Sequence, residues 1–294
     1  MPTVPMENVP QGSFPPGHLP SPRFPREGVP LARLSGTELL AGPLLEVAPA
    51  LLGAVLTSTV DGEPVSVRLT EVEAYAGGHD PGSHGFRGRT ARNAALFGPP
   101  ATVYVYFTYG MHFCVNIVCG HDGEASAVLL RAGEVLAGAE TARDRSQRRK
   151  SAGLGAASGR ARPLRDRDLA SGPARLARSL GLTLDHNGTR LGTSTGPEPD
   201  PAVDPAAGEG QGPEAPVLQL SGWGTVSPGQ VLQGPRVGVA GPGGSDGYPW
   251  RFWIDGEPTV SRYRPAVVRT RSRTPRPTPP APGGESAGGA VPSR

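Results

Sequence analysis

The sequence predicts an α+β fold in which strands and helices share one domain. Segments rich in β-forming residues follow one another between residues 51 and 131, and turn residues separate them. Helical patterns lie on either side of this region. Of the 35 prolines, nine fall in residues 1–30, nine in 195–242 and seven in 265–294, so the remaining chain carries few breakers of regular structure.

The 294 residues divide into one folded domain and two tails. Residues 31–264 are predicted to form the domain, which is long enough to bury a core. Residues 1–30 have the composition of a disordered, proline-rich arm, and residues 265–294 that of a disordered tail rich in Arg, Pro and Gly. Within the domain, residues 195–233 are predicted to be a low-complexity insertion or a mobile loop.

The first predicted elements are two helical segments and a β-hairpin. A short amphipathic helix begins at Thr37, and a second apolar segment runs from Leu44 to Leu52. Asp61-Gly62 is a hairpin turn signal, and it precedes a strand over 65–75. Alternation along that strand predicts one shared face made of Val65, Val67, Leu69, Glu71, Glu73 and Tyr75.

Three further strands and two helices follow. Residues 76–100 form a long loop, and the residue types then predict strands over 102–109, 112–119 and 126–131, with a helix continuing to about residue 149. A second helix opens at Ser171-Gly172-Pro173, with Ser171 as its N-cap and Leu176 and Leu180 on its buried face. The closing strands are predicted over 236–240 and 250–255.

Composition excludes several classes of protein. The sequence holds no apolar run long enough for a transmembrane helix, and the N-terminus lacks the apolar core of a signal peptide. Cys114 and Cys119 are the only cysteines and lie close together, which argues against a disulfide scaffold and a cysteine-rich zinc site. A reducing, intracellular location is therefore expected.

The charge pattern favours a polyanionic partner. The formal net charge is only +3, but residues 143–168 carry nine Lys or Arg and three Asp, and residues 265–294 carry five Arg and one Glu. Such basic bands are typical of contacts with nucleic acid. Lys150 is the only lysine, which leaves few candidates for chemistry that needs a lysine amine.

Two carboxylates at the end of an apolar strand are the first candidates for chemistry. Burying the ionised carboxylates of Glu71 and Glu73 beside a core face costs free energy unless they have a partner or a catalytic role. Either one can therefore also be explained as the partner of a nearby arginine or as a loop cap. Glycoside hydrolysis by two carboxylates needs them on opposite sides of a sugar. Neighbouring positions on one strand fit that geometry poorly.

Aromatic and polar residues form a second set of candidates. Tyr104 and Tyr106 share a strand face and Tyr109 ends that strand, which suits either a core or a platform that stacks an extruded base with a wedge beside it. Asn116 is a polar residue in an apolar strand, where it is either a satisfied buried amide or a discriminating group at a pocket wall.

The loop over 76–100 contributes histidines and arginines. His79, Asp80 and His84 make only a weak metal-binding set, and His84 is better explained as a hydrogen-bond donor to a substrate. Three loop arginines suit phosphate contacts, although they can equally be solvated: Arg87, Arg89 and Arg92.

Taken together, the motifs resemble the alkyladenine (3-methyladenine) DNA glycosylase family over about residues 35–192 and 234–264. The residues that carry the resemblance are Glu71-Val-Glu-Ala-Tyr75, His84, Arg92-Asn93, Tyr104-Val-Tyr-Phe-Thr-Tyr-Gly-Met111, Phe113-Cys-Val-Asn116, Val128-Leu-Leu-Arg131, Ser171-Gly-Pro173, Arg236-Val-Gly-Val and Arg251-Phe-Trp-Ile. The sequence departs from the family pattern at His112, where an aromatic residue is common, and in two extra residues between Asn116 and Arg131.

The resemblance implies a fold and a reaction. The fold is a single mixed domain with a curved antiparallel β-sheet flanked by helices and without a helix-hairpin-helix motif. The reaction is hydrolysis of the N-glycosidic bond of an alkylated or deaminated purine flipped out of double-stranded DNA, which leaves an abasic site and needs no cofactor or metal. A monomer in the cytoplasm, associated with the nucleoid and not with a membrane, is expected.

The resemblance also implies residue roles. Glu73 matches the general base that activates a water, and Arg131 matches the arginine that helps to place this water. Tyr75 and Tyr106 match the rings that sandwich the base, and His84 lies on its edge. Two more roles are implied: Tyr109 enters the minor groove, and Asn116 crowds the amino group of guanine.

Two other hypotheses remain open from the sequence. The same scaffold could bind damaged DNA without catalysis. Alternatively, the Pro- and Arg-rich tails could dominate a general nucleic-acid-binding function. Release of a base would exclude a protein that binds damaged DNA without catalysis. Removal of residues 1–30 and 265–294 tests whether the tails dominate the function.

Overall fold

The computed structural model describes four stretches of the chain: 30–108, 110–151, 164–194 and 216–266. The side chains of 149–151 are not described. The predicted arm over 1–30 and tail over 265–294 therefore fall almost wholly outside the described residues. Tyr109 and residues 195–215 of the predicted insertion also lie outside them.

Nine strands in the described stretches form one curled sheet. They are β1 (Val55–Ser58), β2 (Val65–Ala76), β3 (Val103–Thr108), β4 (His112–Val118), β5 (Ser126–Ala137), β6 (Gly192–Ser194), β7 (Leu218–Ser221), β8 (Val231–Gly234) and β9 (Arg251–Ile254). The order is β3-β4-β5-β2-β1-β7-β6, and β9 pairs with both β2 and β8. Only the β6–β7 pair is parallel among these pairings. The predicted α+β class is confirmed, with one parallel pair in the antiparallel sheet.

Short helices cover the sheet. They are α1 (Gly36–Leu40), α2 (Leu44–Ala50), α3 (Ala139–Ser151), α4 (Asp166–Leu169) and α5 (Pro173–Ser179). A capping box between Ser35 and Glu38 starts α1, because the serine hydroxyl accepts the Glu38 N–H and the glutamate accepts the Ser35 N–H. In the part of the chain that the structure describes, no helix is both long and apolar enough to cross a membrane.

Strand β2 is the centre of the sheet and positions the candidate site. It pairs with β5 along most of its length, with β1 near its start and with β9 at residues 71–73. Irregular register between Leu69 and Val72 marks β-bulges opposite β5. A bulge inserts an unpaired residue and so shifts which side chains lie on each face of a sheet.

The prediction that alternate residues from Val65 to Tyr75 share one face of β2 is wrong, because the bulges change which side chains face the core. Val67 and Leu69 lie in the hydrophobic core, but beyond the bulge Val72 and Ala74 take over the core positions. Glu71, Glu73 and Tyr75 therefore lie on the face of the sheet opposite to this core. The shift removes the conflict that alternation predicted, in which carboxylates continue a core face.

The helix after residue 170 confirms the predicted buried face but not the predicted cap. Leu176 and Leu180 are both fully buried against the sheet. The N-cap is Gly172, with φ of 107°, and the helix has no side-chain cap hydrogen bond. Ser171 lies one residue earlier and forms a β-bridge with Ala132. A glycine is needed where φ is this positive.

Other element boundaries differ from the prediction. The helix predicted to follow residue 131 begins only at Ala139, since β5 continues to Ala137 alongside β2. Residues 236–240, predicted as a strand, run as an irregular segment with a turn at Val237–Gly238. In the described part of the predicted insertion, β7 joins β1 and β8 joins β9, so residues 216–233 contribute to the sheet.

Candidate active site

A cavity of about 460 Å³ opens where β2, β3, β4 and β5 meet two loops. The loops contribute residues 81–84 and 237–240. The predicted site residues that line it are Tyr75, His84, Tyr106, Asn116 and Arg131. The structure brings these five side chains to one cavity, and their roles remain predictions.

Glu73 is the buried carboxylate behind this cavity. It has no exposed surface. Its Oε1 accepts the backbone N–H of Val237 at 2.7 Å, and its Oε2 accepts the hydroxyl of Tyr75 at 2.8 Å. The pKa of Tyr75 is raised well above its ordinary value, first by burial and then by the charge of Glu73, so the hydroxyl stays protonated and donates.

Arg131 connects two buried glutamates. Its Nη1 lies 3.3 Å from Oε1 of Glu73, and its Nε donates to Oε1 of Glu71 at 3.0 Å. Burial by itself lowers the pKa of Arg131, but the carboxylates of Glu73 and Glu71 raise it overall, so the guanidinium remains charged. The cavity therefore has a permanent cation beside the carboxylate.

Glu71 serves a different purpose from Glu73. Its carboxylate also accepts Nε of Arg251 at 2.6 Å and the backbone N–H of Ser261 at 2.7 Å. The interpretation of Glu71 as the partner of a nearby arginine is thus confirmed. Because Glu71 holds the Nε side of Arg131, the other side of that guanidinium points towards Glu73.

Three of the aromatic side chains that line the cavity, those of His84, Tyr104 and Tyr106, pack against one another. The centroids of His84 and Tyr106 lie 4.5 Å apart in an edge-to-face arrangement, and those of Tyr104 and Tyr106 lie 5.7 Å apart. The Tyr104 hydroxyl and His84 Nδ1 share a hydrogen bond of 3.0 Å. Burial raises the pKa of Tyr104 to about 12, so the hydroxyl is neutral at physiological pH.

Asn116 lies across from Tyr104 in the β3–β4 pairing. It is buried, and its Nδ2 donates to the backbone carbonyl of Tyr104 at 3.0 Å. The amide is therefore fixed in orientation at the cavity wall, as both of its sequence-based interpretations require.

The three arginines predicted to bind phosphate do not line the cavity. Arg87, Arg89 and Arg92 are exposed, and Arg92 donates to the backbone carbonyl of Phe107 at 3.1 Å. Tyr109, the predicted intercalating residue, lies outside the described residues. Its neighbour Met111 is 56% exposed between β3 and β4.

The metal interpretation of the loop is not supported by its geometry. The carboxylate of Asp80 pairs with Arg236. In the four described stretches, no three His, Cys, Asp or Glu side chains are close enough to share a metal ion.

Sequence reasoning missed the groups that orient the two glutamates. Backbone N–H groups of Val237 and Ser261 each bind a carboxylate, and Arg251 shares Glu71 with Arg131. Backbone donors leave no signal in residue identity. The Arg251-Phe-Trp-Ile motif did mark Arg251, but only as part of a strand.

We expect the His84 ring to titrate below 6.5. Desolvation at the cavity wall, together with the charge of Arg92, disfavours its protonated form and lowers its pKa from the ordinary value of 6.5. Since the unfolded chain then binds more protons, this residue makes the fold less stable as pH falls below 6.5. Histidine resonances followed by NMR, with His84→Gln to identify the signal, measure this directly. A value at or above 6.5 would contradict the described environment.

The sequence is similar to a family model and to several bacterial proteins with one shared name. Residues 38–258 match the sequence model of the family described as methylpurine-DNA glycosylase (MPG). A Streptomyces avermitilis protein named "Putative 3-methyladenine DNA glycosylase" is 50% identical over 234 residues, which are 80% of this chain and 93% of that protein. Proteins of the same name from Leifsonia xyli subsp. xyli and Frankia casuarinae are each 46% identical over 230 residues, which are 78% of this chain and 92% and 93% of theirs.

The mixed fold, the cavity and these matches together define a DNA glycosylase, which is a hydrolase of base-excision repair that acts on DNA. More particularly, the chain belongs to the methylpurine-DNA glycosylase family. The resemblance inferred from the sequence motifs is therefore confirmed.

Proposed function

We propose that the protein removes alkylated or deaminated purines of the 3-methyladenine type from double-stranded DNA. The damaged nucleotide turns out of the helix into the cavity, where a water activated by Glu73 attacks the deoxyribose and leaves an abasic site. The observation that supports this most is the buried Glu73 carboxylate behind a cavity walled by Tyr75, Tyr106 and His84.

The cavity has a size and lining suited to a base. Its volume of about 460 Å³ lies within the range of roughly 300–1,000 Å³ that is usual for small-molecule sites. Stacking a base on an aromatic side chain contributes about 1–3 kcal/mol. This is comparable to the few kcal/mol that extrusion from the duplex requires. Alkylated purines that carry positive charge gain further attraction to tyrosine faces.

The contacts of Glu73 support a position for the proposed water. Val237 N–H and the Tyr75 hydroxyl bind the carboxylate at 2.7 and 2.8 Å, whereas Arg131 Nη1 stands at 3.3 Å. The Arg131 contact is the longest of the three, and Arg131 lines the cavity. We infer that this longest contact opens when the substrate enters, because 3.3 Å leaves no room for a water between the two groups. A water then lies between Arg131 and Glu73, where the carboxylate takes its proton while the guanidinium holds its oxygen.

The remaining site residues complete the proposal. His84 contacts the edge of the base. Asn116 disfavours guanine because it crowds the amino group of that base. Tyr109 fills the space that the base leaves in the helix. The phosphate backbone is bound by the exposed arginines of the loop, Arg87, Arg89 and Arg92.

Water is the proposed nucleophile rather than an amine. Among the described residues that line the cavity there is no lysine. An amine nucleophile would form a covalent intermediate and allow strand cleavage, whereas water leaves an intact strand with an abasic site. We place this activity in residues 31–264, acting as a monomer in the cytoplasm with the nucleoid, and assign the two tails no part in the chemistry.

Release of free bases tests the proposed function. The full-length protein is incubated with DNA treated with a methylating agent, and free 3-methyladenine and 7-methylguanine are measured by chromatography. Duplexes with one hypoxanthine or ethenoadenine extend the panel, and undamaged DNA is the control. Multiple turnovers on damaged DNA alone are expected. Binding to lesions without release would overturn the proposal in favour of a non-catalytic lesion-binding protein.

Tyr75 variants separate stacking from the hydrogen bond to Glu73. In a Glu73→Gln background, which keeps the base attached, we expect Tyr75→Ala to weaken binding to a lesion duplex by about 1–3 kcal/mol. Tyr75→Phe keeps the ring and is expected to bind as the parent does. Fluorescence anisotropy measures both affinities, and Tyr263→Ala, an exposed tyrosine outside the cavity, is the matched control. Unchanged affinity in the alanine variant would contradict the stacking role.

A further inference from the structure

We propose that Arg236 is a positioning residue. It fixes the positions of three groups relative to one another: the Tyr75 ring, the loop that carries His84 and the Glu73 carboxylate. The inference rests on the proposed function, since it concerns how the same cavity is kept ready for catalysis. Arg236 does not line the cavity. It acts through groups that do.

The guanidinium of Arg236 is completely buried and saturated with partners. Nη1 and Nη2 donate to the two carboxylate oxygens of Asp80 at 2.5 and 2.6 Å, and neither residue has exposed surface. Nη1 also donates to the carbonyl of Ala74, and Nη2 and Nε donate to the carbonyl of Gly243. A planar group with this many fixed donors has little freedom to move.

The first element that Arg236 fixes is the ring of Tyr75. The guanidinium carbon lies 4.4 Å from the centroid of this ring, and the adjacent carbonyl of Ala74 on β2 is one of its acceptors. The Tyr75 ring also lines the cavity. The guanidinium therefore supports the proposed stacking ring by a cation–π contact, and the ring cannot tilt away from a base without breaking it.

The second element is the loop that carries His84. Asp80 accepts the N–H groups of Ala76 and Gly82 at 3.3 and 2.8 Å, so its carboxylate ties both ends of this turn to Arg236. The approach is close, because a Cβ on Gly82 would lie 2.6 Å from Nη2 of Arg236. His84 follows two residues later.

The third element is the backbone that serves the carboxylate. Val237 follows Arg236 directly, and its N–H donates to Glu73 Oε1 at 2.7 Å. Gly243 packs against the other loop so closely that a Cβ there would lie 2.4 Å from the Gly82 nitrogen. One guanidinium thus anchors the segment on both sides of the Val237 amide.

Stability alone does not account for this pair. Removing two charges from water is costly, and replacing a buried ion pair with uncharged residues is often neutral or even stabilising. Removing only one partner is strongly destabilising because it strands the other charge. A positioning role therefore predicts that a variant lacking both charges folds but works poorly.

Two variants and a matched control test the inference. The double variant Asp80→Asn with Arg236→Met removes both charges, and Arg236→Lys keeps the positive charge but loses the planar fork. The control, Arg68→Met with Glu134→Gln and Glu257→Gln, removes the two ion pairs of Arg68, which lie outside the cavity. Each protein is measured for thermal unfolding, for affinity to the lesion duplex that wild type processes fastest, and for single-turnover base release at saturating protein.

We expect both Arg236 variants to fold and to release the base at least about 10-fold more slowly at saturation, because small misplacements of reacting groups lower the rate strongly. Arg236→Lys should be the less impaired of the two, and the control should match wild type. A merely structural role would lower the folded fraction without changing the rate for folded protein at saturation.

Several results would overturn the inference. Release by a folded double variant within about twofold of the wild-type rate would do so, given that misplacement of reacting groups is expected to slow it far more. A loss explained entirely by the unfolded fraction would do so as well. If the double variant does not fold, Arg236→Lys decides, and a wild-type rate in that folded variant is equally contradictory. Absence of release by wild type itself would overturn the proposed function, and this inference with it.

Discussion

Glu73→Gln is expected to lower base release by at least about 100-fold, which is the effect of losing a general base. Glutamine keeps the size of the side chain, and its single oxygen can still accept the Val237 N–H that Oε1 of Glu73 accepts. Its amide NH2 then takes the place of Oε2 and donates to the Tyr75 hydroxyl oxygen, which reverses that hydrogen bond. Glutamine cannot take a proton from water. The cavity walls are unchanged, so binding to a lesion duplex is expected to remain close to that of wild type. Single-turnover release and equilibrium binding, measured on one duplex, separate the two effects.

A carboxylate elsewhere on the sheet provides the control for this prediction. Glu134 lies on β5, pairs with Arg68 and is 46% exposed outside the cavity. Glu134→Gln removes the same charge and should leave release unchanged. Release by Glu73→Gln within about 10-fold of wild type would mean that Glu73 is not the general base.

Arg131→Met is expected to destabilise the fold by about 3–5 kcal/mol, because it leaves charge uncompensated in the interior. Arg131 is 6% exposed and lies between Glu71 and Glu73, both of which are fully buried. Arg251 still neutralises Glu71, but Glu73 loses its nearest cation. Unfolding by denaturant at neutral pH measures the loss of free energy of unfolding.

The pH dependence of this loss identifies its cause. Protonation relieves a stranded carboxylate, so the deficit of Arg131→Met relative to wild type should shrink as pH falls. The matched variant is Arg68→Met, which removes a 26% exposed arginine from its ion pairs with Glu134 and Glu257. It should lose less free energy of unfolding than Arg131→Met, because solvent screens the carboxylates that it leaves. Equal losses in the two variants, or a deficit that does not change with pH, would contradict the proposed charge arrangement.

Much of the fold could be predicted because it rests on local signals. The β-forming runs that became β3 and β4 end at turn residues, and the leucines of α5 recur at helical spacing. The face of β2 could not be predicted by the same logic. A bulge between Leu69 and Val72 is a property of the pairing with β5, and strict alternation carries no sign of it.

The candidate site was predictable to the extent that side chains define it. The motifs around Tyr75, His84, Tyr106 and Asn116 pointed to one constellation, and the structure brings these residues to one cavity. The groups that orient the carboxylates were not predictable, since the Val237 amide belongs to a segment that residue types predicted as a strand. Its position follows from the packing of Arg236 and Asp80, which are far apart in sequence.

The most direct test of the account is strand cleavage with and without alkali on short duplexes that each carry one modified purine. Wild type and Glu73→Gln are compared on the same duplexes, because alkali converts an abasic site into a break. The account predicts breaks only after alkali and only with wild type, which would establish hydrolysis and the role of Glu73 together. Breaks without alkali, or equal breaks with Glu73→Gln, would contradict a water activated by this carboxylate.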